Sequence, residues 1–163
     1  TLLPYTTLFR SWGLDHGAWA VLRHAWPRAD VPVVQLSLDL AQPPSWHLAL
    51  ARRLAPLRDE GVLIAGSGNV VHNLREVAWD DPGGFDWADA FDAAIRQRIE
   101  AGDYAGVVDY RTAGRSAAQA FVTPDHFFPL LYVLGAADSA DALTVFNDAR
   151  MMGSLSMTGY LFT

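Results

Sequence analysis

The chain has 163 residues, 51% hydrophobic and 18% charged, which is the length of one domain with enough apolar material for a core and leaves no case for disorder. Its net charge is -6 and its 12 basic residues are all Arg, spread thinly, so no basic stripe is present to neutralise phosphates, and nucleic acid and anionic membrane surfaces are excluded as expected partners. Cysteine is absent, which removes disulfides, thiolate metal sites and Cys nucleophiles. No apolar run approaches the ~20 residues of a membrane span, and no basic segment precedes an apolar one as in a leader. A cytoplasmic globular domain is the expectation.

In chain order, Thr1–Ser11 (TLLPYTTLFRS) stands apart. It starts without Met, shows neither helical nor strand periodicity, and resembles a translated adapter run. We expect a non-native junction over 1–11, with an edge strand Leu2–Phe9 as the alternative, and a single domain over 12–163. From Gly17 to Trp26 the apolar residues Ala18, Val21, Leu22 and Ala25 have helical spacing, closed by Pro27. Val31–Leu38 is rich in β-branched residues and predicts a buried strand. After the turn Gln42-Pro43-Pro44, Ser45 is the expected cap of a helix carrying Leu48, Leu50, Ala51, Leu54 and Leu57, ended by Gly61. Val62–Ala65 predicts a short strand opening into Gly66-Ser67-Gly68, and Asp80–Gly84 a loop. Phe85, Ala88, Phe91, Ile95 and Ile99 mark one face of a long helix ended by Gly102, followed by a short helix over Asp103–Tyr110. Thr123-Pro124 predicts a cap and first helical position for a helix running to Gly135. Ala142–Phe146 and Ser154–Phe162 read as closing strands. Strands separated by helices predict an α/β fold, a central mixed sheet with helices on both faces.

The five histidines are the side chains that titrate near neutrality, so each is weighed. His24 falls late in a helix, where a cation suits the macrodipole, and His47 falls in a first turn on an expected solvated face. Both read as structural. His16, His72 and His126 each stand where a strand or loop meets a helix start. His72 follows a strand through Gly66-Ser67-Gly68-Asn69, where glycines permit a sharp turn and close approach to a ligand. Ligands of open α/β sheets gather at such strand ends. His126 precedes the apolar run Phe127–Leu131, and an imidazole there needs a partner or a metal. Asp15 is placed to orient His16. The alternative for each is a satisfied structural histidine, and their separations of about 55 residues are not metal-motif spacings. Gly66-Ser67-Gly68 lacks the third glycine of a dinucleotide fingerprint and fails the spacing of a nucleophile elbow, so Ser67 makes a poor hydrolase nucleophile.

Five blocks carry a resemblance: Trp12–Trp19 (WGLDHGAW), Asp30–Ser37 (DVPVVQLS), Gly66–Arg75 (GSGNVVHNLR), Thr123–Leu131 (TPDHFFPLL) and Gly153–Met157 (GSLSM). In this order they resemble the class III extradiol ring-cleavage dioxygenases, in their 4,5-DOPA branch. The resemblance implies an oxidoreductase that cleaves a catechol-type ring with O2 at a non-haem metal, Fe(II) ordinarily and Zn(II) in some members. It implies that His126 is a metal ligand, that His72 is the acid–base that also lies against the metal, and that His16 binds the substrate hydroxyl or oxygen-derived charge. Trp19, Phe127 and Phe128 would wall the cleft, with a core role equally open to each. One departure stands out. The family draws two further metal histidines from His-Gly-Ser-Pro and Ser-Ala-His-Trp segments, and neither occurs in these 163 residues. The expectation is therefore an N-terminally truncated domain, the C-terminal portion of the enzyme and inactive alone. The alternative is a non-catalytic half-domain acting as a scaffold or partner subunit.

Overall fold

Asp15 opens the first helix, α1 (His16–Ala25), by accepting a hydrogen bond from the Ala18 amide at 2.9 Å, which satisfies one of the free N–H groups of a helix start. The computed structural model describes residues 13–163, which fall into two units, one ending at Ser37 and one spanning Leu38–Thr163. The expected junction Thr1–Ser11 and its alternative strand lie outside the described residues.

In the N-terminal unit α1 matches the expected helix to within one residue, and the Trp26 amide closes it on the Leu22 carbonyl. Arg23 and His24 occupy the last turn, where positive charge meets the negative end of the helix. The strand expected over Val31–Leu38 does not form among the described residues: the segment joins no ladder, and Val34 is 95% exposed. β-branched composition favours a strand conformation, but a strand also needs a neighbour to bond with.

In the C-terminal unit, α2 (Pro44–Leu54) begins one residue before Ser45, so Ser45 lies in its first turn and Pro43 takes the capping position without a side-chain bond. Pro44 suits the first helical position because its missing N–H would be unpaired there anyway. A 3-10 turn, Ala55–Glu60, continues α2, and Gly61 ends it at φ +83°, a left-handed conformation that glycine adopts without penalty. Val62–Ala65 forms no strand among the described residues, and Val62 and Leu63 are exposed.

α3 (Asp86–Glu100) buries Ala88, Phe91, Ile95 and Ile99 as its periodicity predicts, and also Asp92. α4 (Tyr104–Val108) is capped by Asp103, whose carboxylate accepts from the Gly106 amide at 2.8 Å. The helix expected from Thr123 is instead a 3-10 turn, Pro124–His126, followed by α5 (Phe128–Ala136). The Thr123 hydroxyl donates to the Asp125 carboxylate rather than capping the main chain. α5 lies hard against α2: a Cβ at Gly135 would sit 2.5 Å from the Ala51 Cβ and 2.7 Å from the Leu48 carbonyl oxygen.

The strands are β1 (Leu143–Phe146), β2 (Arg150–Met151), β3 (Leu155–Ser156) and β4 (Gly159–Phe162). β1 pairs antiparallel with β4, Leu143 opposite Phe162, and β2 with β3, Arg150 opposite Ser156. The α/β class holds, while the strands among the described residues form two antiparallel ribbons rather than one central mixed sheet. The strand expected over Ser154–Phe162 is split because the Ser156 and Thr158 hydroxyls both turn onto the buried Asp92 carboxylate of α3. Arg150 reaches the same carboxylate at 3.1 Å, so the buried charge is paired and hydrogen-bonded, as burial demands. Beneath the 3-10 turn, Phe91, Tyr110, Phe121 and Phe127 form an aromatic core with ring centroids 5.0–6.2 Å apart, the spacing of favourable edge and offset contacts.

Candidate active site

His72 is fixed by its main chain. Its amide donates to the Ala120 carbonyl at 2.8 Å, the Ser156 amide donates to the Val71 carbonyl at 3.0 Å, and the Asn73 amide to the Ser154 carbonyl at 3.2 Å. Residue 72 is thereby bridged to Phe121 on one side and Leu155 on the other. His126 ends the 3-10 turn before α5. The fold brings these two together: their rings stack with centroids 3.6 Å apart and planes 5° from parallel.

The glycines of Gly66-Ser67-Gly68 explain how. The Asn69 amide donates to the His126 carbonyl at 2.8 Å, and this loop runs against the main chain of 126–129. A Cβ on Gly68 would strike the His126 carbonyl, with its carbon at 3.0 Å, and one on Gly66 would lie 2.9 Å from the Pro129 carbonyl carbon. The glycines were expected to let the backbone approach a ligand; what they admit is a second stretch of backbone.

Asn69 adds a side-chain hold. Its amide nitrogen donates to the Ser156 carbonyl at 2.6 Å, which turns its oxygen toward His126 Nδ1 at 3.3 Å. With that oxygen as acceptor, Nδ1 is the donor, the arrangement by which a neighbouring group orients an imidazole through one of its nitrogens. The Asp125 carboxylate lies 3.8 Å from Nε2. Burial lowers the pKa of His72 below its ordinary 6.5, and the neighbouring His126 lowers it further, against the pull of Asp125. His72 is therefore neutral at pH 7 and able to accept a proton.

His16 is the first residue of α1, exposed, with its ring edge-on to Trp19 at 6.5 Å. The Asp15 carboxylate expected to orient it caps the Ala18 amide instead. His24 is exposed at the end of the same helix. His47, expected on a solvated face, is fully buried in the C-terminal unit: its ring lies 4.5 Å from that of Phe128, and its Nδ1 is 3.0 Å from the Tyr132 hydroxyl. Phe127 and Phe128 are core residues, while Trp19 is 45% exposed. Sequence reasoning missed Asn69 and Asp92. Asp92 left a readable trace, because it falls on the buried stripe of α3, one turn after Ala88 and before Ile95. Asn69 left none beyond standing next to Gly68. Among the described residues no three His, Asp or Glu side chains gather into a metal-binding cluster, and no helix is long and apolar enough to cross a membrane.

Residues 3–163 match the family described as the catalytic LigB subunit of aromatic ring-opening dioxygenase. The chain belongs to this family. It is 41% identical over 162 residues to a 4,5-DOPA dioxygenase extradiol of Escherichia coli K12, covering 95% of this chain and 58% of that one. It is 38% identical to a 4,5-DOPA dioxygenase extradiol of Beta vulgaris over 93% of this chain and 56% of the relative. The crystal structure of an uncharacterized protein from Escherichia coli K12 superposes with a TM-score of 0.84 at 41% identity, covering 91% of this chain and 62% of that one. The chain thus spans somewhat over half the length of the curated relatives it matches.

Proposed function

We propose that this LigB-family chain carries the His72–His126 portion of an extradiol dioxygenase that opens a catechol-type, DOPA-like ring with O2. The observation that supports this best is the stacked imidazole pair, built by a loop-on-turn contact of main chains rather than by chance proximity of surface histidines.

The reaction class needs a divalent metal, Fe(II) by preference and Zn(II) as the alternative, to bind the diol and activate oxygen. His72 and His126 offer two imidazole nitrogens, one fewer than the three protein ligands that open catalytic sites of this kind take, and the described residues add no third. They do not make up a full metal site by themselves, so no step is derived through one. The reading assigns a role to each of the chain's own residues. His72, neutral at pH 7, takes a proton from a catechol hydroxyl as general base. His126 is held by Asn69 with Nε2 presented. The resemblance gives His16 the donation to charge developing on oxygen, a role the reading keeps for it. The ligands and partners of the reading are a small catechol and O2, in the cytoplasm.

The test grafts residues 13–163 into the Escherichia coli relative in place of its matching part. With Fe(II) and a catechol, the graft should consume O2 and form a ring-opened semialdehyde, and His72→Ala or His126→Ala should each cut the rate by about 100-fold or more. Unchanged rates in both variants would overturn the assignment. A second reading, a non-catalytic half-domain that associates with another chain, is favoured by the exposed apolar side chains of Val34 and Leu63 on segments without strand partners among the described residues. It predicts an inactive graft and a cooperatively melting monomer of the 163-residue chain.

A further inference from the structure

A cleft of about 400 Å³ opens in the C-terminal unit between the turn at 110–115 and the segment 117–124, and neither His72 nor His126 lines it. Tyr110, Ala117, Phe121 and Pro124 contribute its apolar walls, and Arg111 and Arg115 its charge. The stretch from Tyr110 to Pro124 holds these two arginines and no acidic residue, in a chain whose net charge is -6. Among the described residues neither guanidinium forms an ion pair, whereas Arg58, Arg96 and Arg150 each hold a carboxylate at 2.5–2.8 Å. The Arg111 guanidinium lies over the Tyr110 ring, 5.3 Å from its centroid, a stack that occupies its face and leaves its edge N–H groups to donate. The nearby amides of Ala117, Gln119 and Ala120 are spent on the carbonyls of Gly114 and Ser116, so no amide cradle for a phosphate is formed there. Two guanidinium forks beside aromatic walls match a planar anion joined to a ring, and the volume lies in the range of small-molecule sites.

We propose that this cleft binds a small aromatic carboxylate, its ring against Phe121 and its carboxylate between Arg111 and Arg115, as a site separate from the histidine pair. The site stands independently of the dioxygenase reading, since it needs no metal and uses none of the histidines.

The experiment titrates benzoate into the 163-residue chain and follows amide and histidine side-chain NMR signals, with benzyl alcohol as the neutral ring and inorganic phosphate as the ringless anion. Benzoate should shift the amides of 110–124 saturably and by more than it shifts the His72 and His126 ring signals, while each control binds at least about tenfold more weakly. Arg111→Gln and Arg115→Gln should each weaken benzoate about tenfold, and the double variant should lose it. Arg115 lies on an exposed turn and makes no stack, so Arg115→Gln decides the matter even where loss of the Arg111–Tyr110 stack lowers the melting temperature. The proposal is overturned if benzoate moves the histidine signals instead, if phosphate binds as tightly, or if Arg115→Gln binds benzoate like the parent.

Discussion

Gly68→Ala tests whether backbone contact sets the position of the histidine pair. The new Cβ would meet the His126 carbonyl, with the carbonyl carbon at 3.0 Å and the Pro129 Cγ at 3.2 Å. The obstacle is main chain, held in turn by the 2.8 Å bond from the Asn69 amide to the same oxygen, so it cannot rotate away as a side-chain tip would. Forcing one carbon into a close-packed contact costs about 1–3 kcal/mol, and stretching that hydrogen bond about 0.5–1.5 kcal/mol more. The expected loss is about 1.5–4.5 kcal/mol. At roughly 2–4 °C per kcal/mol for a chain of this size, the melting temperature falls by roughly 3–18 °C. Urea unfolding monitored by tryptophan fluorescence gives the free energy, and histidine ring NMR signals report whether the stack at 3.6 Å is lost with it. A variant within about 0.5 kcal/mol of the parent, with unshifted histidine signals, would refute the reasoning.

Asn69→Ala removes the acceptor at His126 Nδ1, so long-range nitrogen–proton NMR should show His126 passing from one tautomer to a mixture; a parent-like pattern would mean that Asn69 does not set it. His47 is fully buried, and desolvation lowers its pKa below 6.5. The unfolded chain therefore takes up a proton that the fold refuses: stability is level above pH 6.5 and declines below it, by up to about 1.4 kcal/mol per pH unit for one such group. His72 shifts in the same direction, so the check is comparative. His47→Leu should be less stable at pH 7 by about 1–3 kcal/mol, because the Tyr132 hydroxyl loses its partner, yet should show a shallower decline between pH 6.5 and 5; an unchanged slope would contradict a neutral buried His47. Calorimetric titration of the chain with Fe(II) or Zn(II) should show only weak binding, since two imidazoles are brought together and no third ligand joins them among the described residues. Tight 1:1 binding in the sub-micromolar range would sink the two-donor account.

Much of the helical framework was legible because it is local. Phe91, Ile95 and Ile99 repeat at helical spacing and are all buried, and Asp103 sits where a cap should. The errors arise wherever a partner distant in sequence decides the outcome. Val31–Leu38 has strand composition, but composition names no neighbour to pair with. Ser154–Phe162 alternates like one strand, yet Asp92, more than 60 residues earlier, draws Ser156 and Thr158 out of line. His47 looked solvated because its burial depends on Tyr132, 85 residues away. The two histidines at the site were singled out individually by their positions at helix starts. Their stacking was not readable, since it depends on Gly66 and Gly68 fitting against residues 126–129.

That fit has a bearing on how this region tolerates change. Distances between functional side chains are commonly set by the packing of the layers beneath them, and they drift as core residues are exchanged. Here the loop at 66–69 meets the main chain of 126–129 directly, through the Asn69 amide on the His126 carbonyl and the close approach of Gly66 and Gly68. The spacing of the two rings is thus fixed where peptide groups meet, so a change that bulges the loop or shifts the first turn of α5 is read out directly in the gauge of the pair.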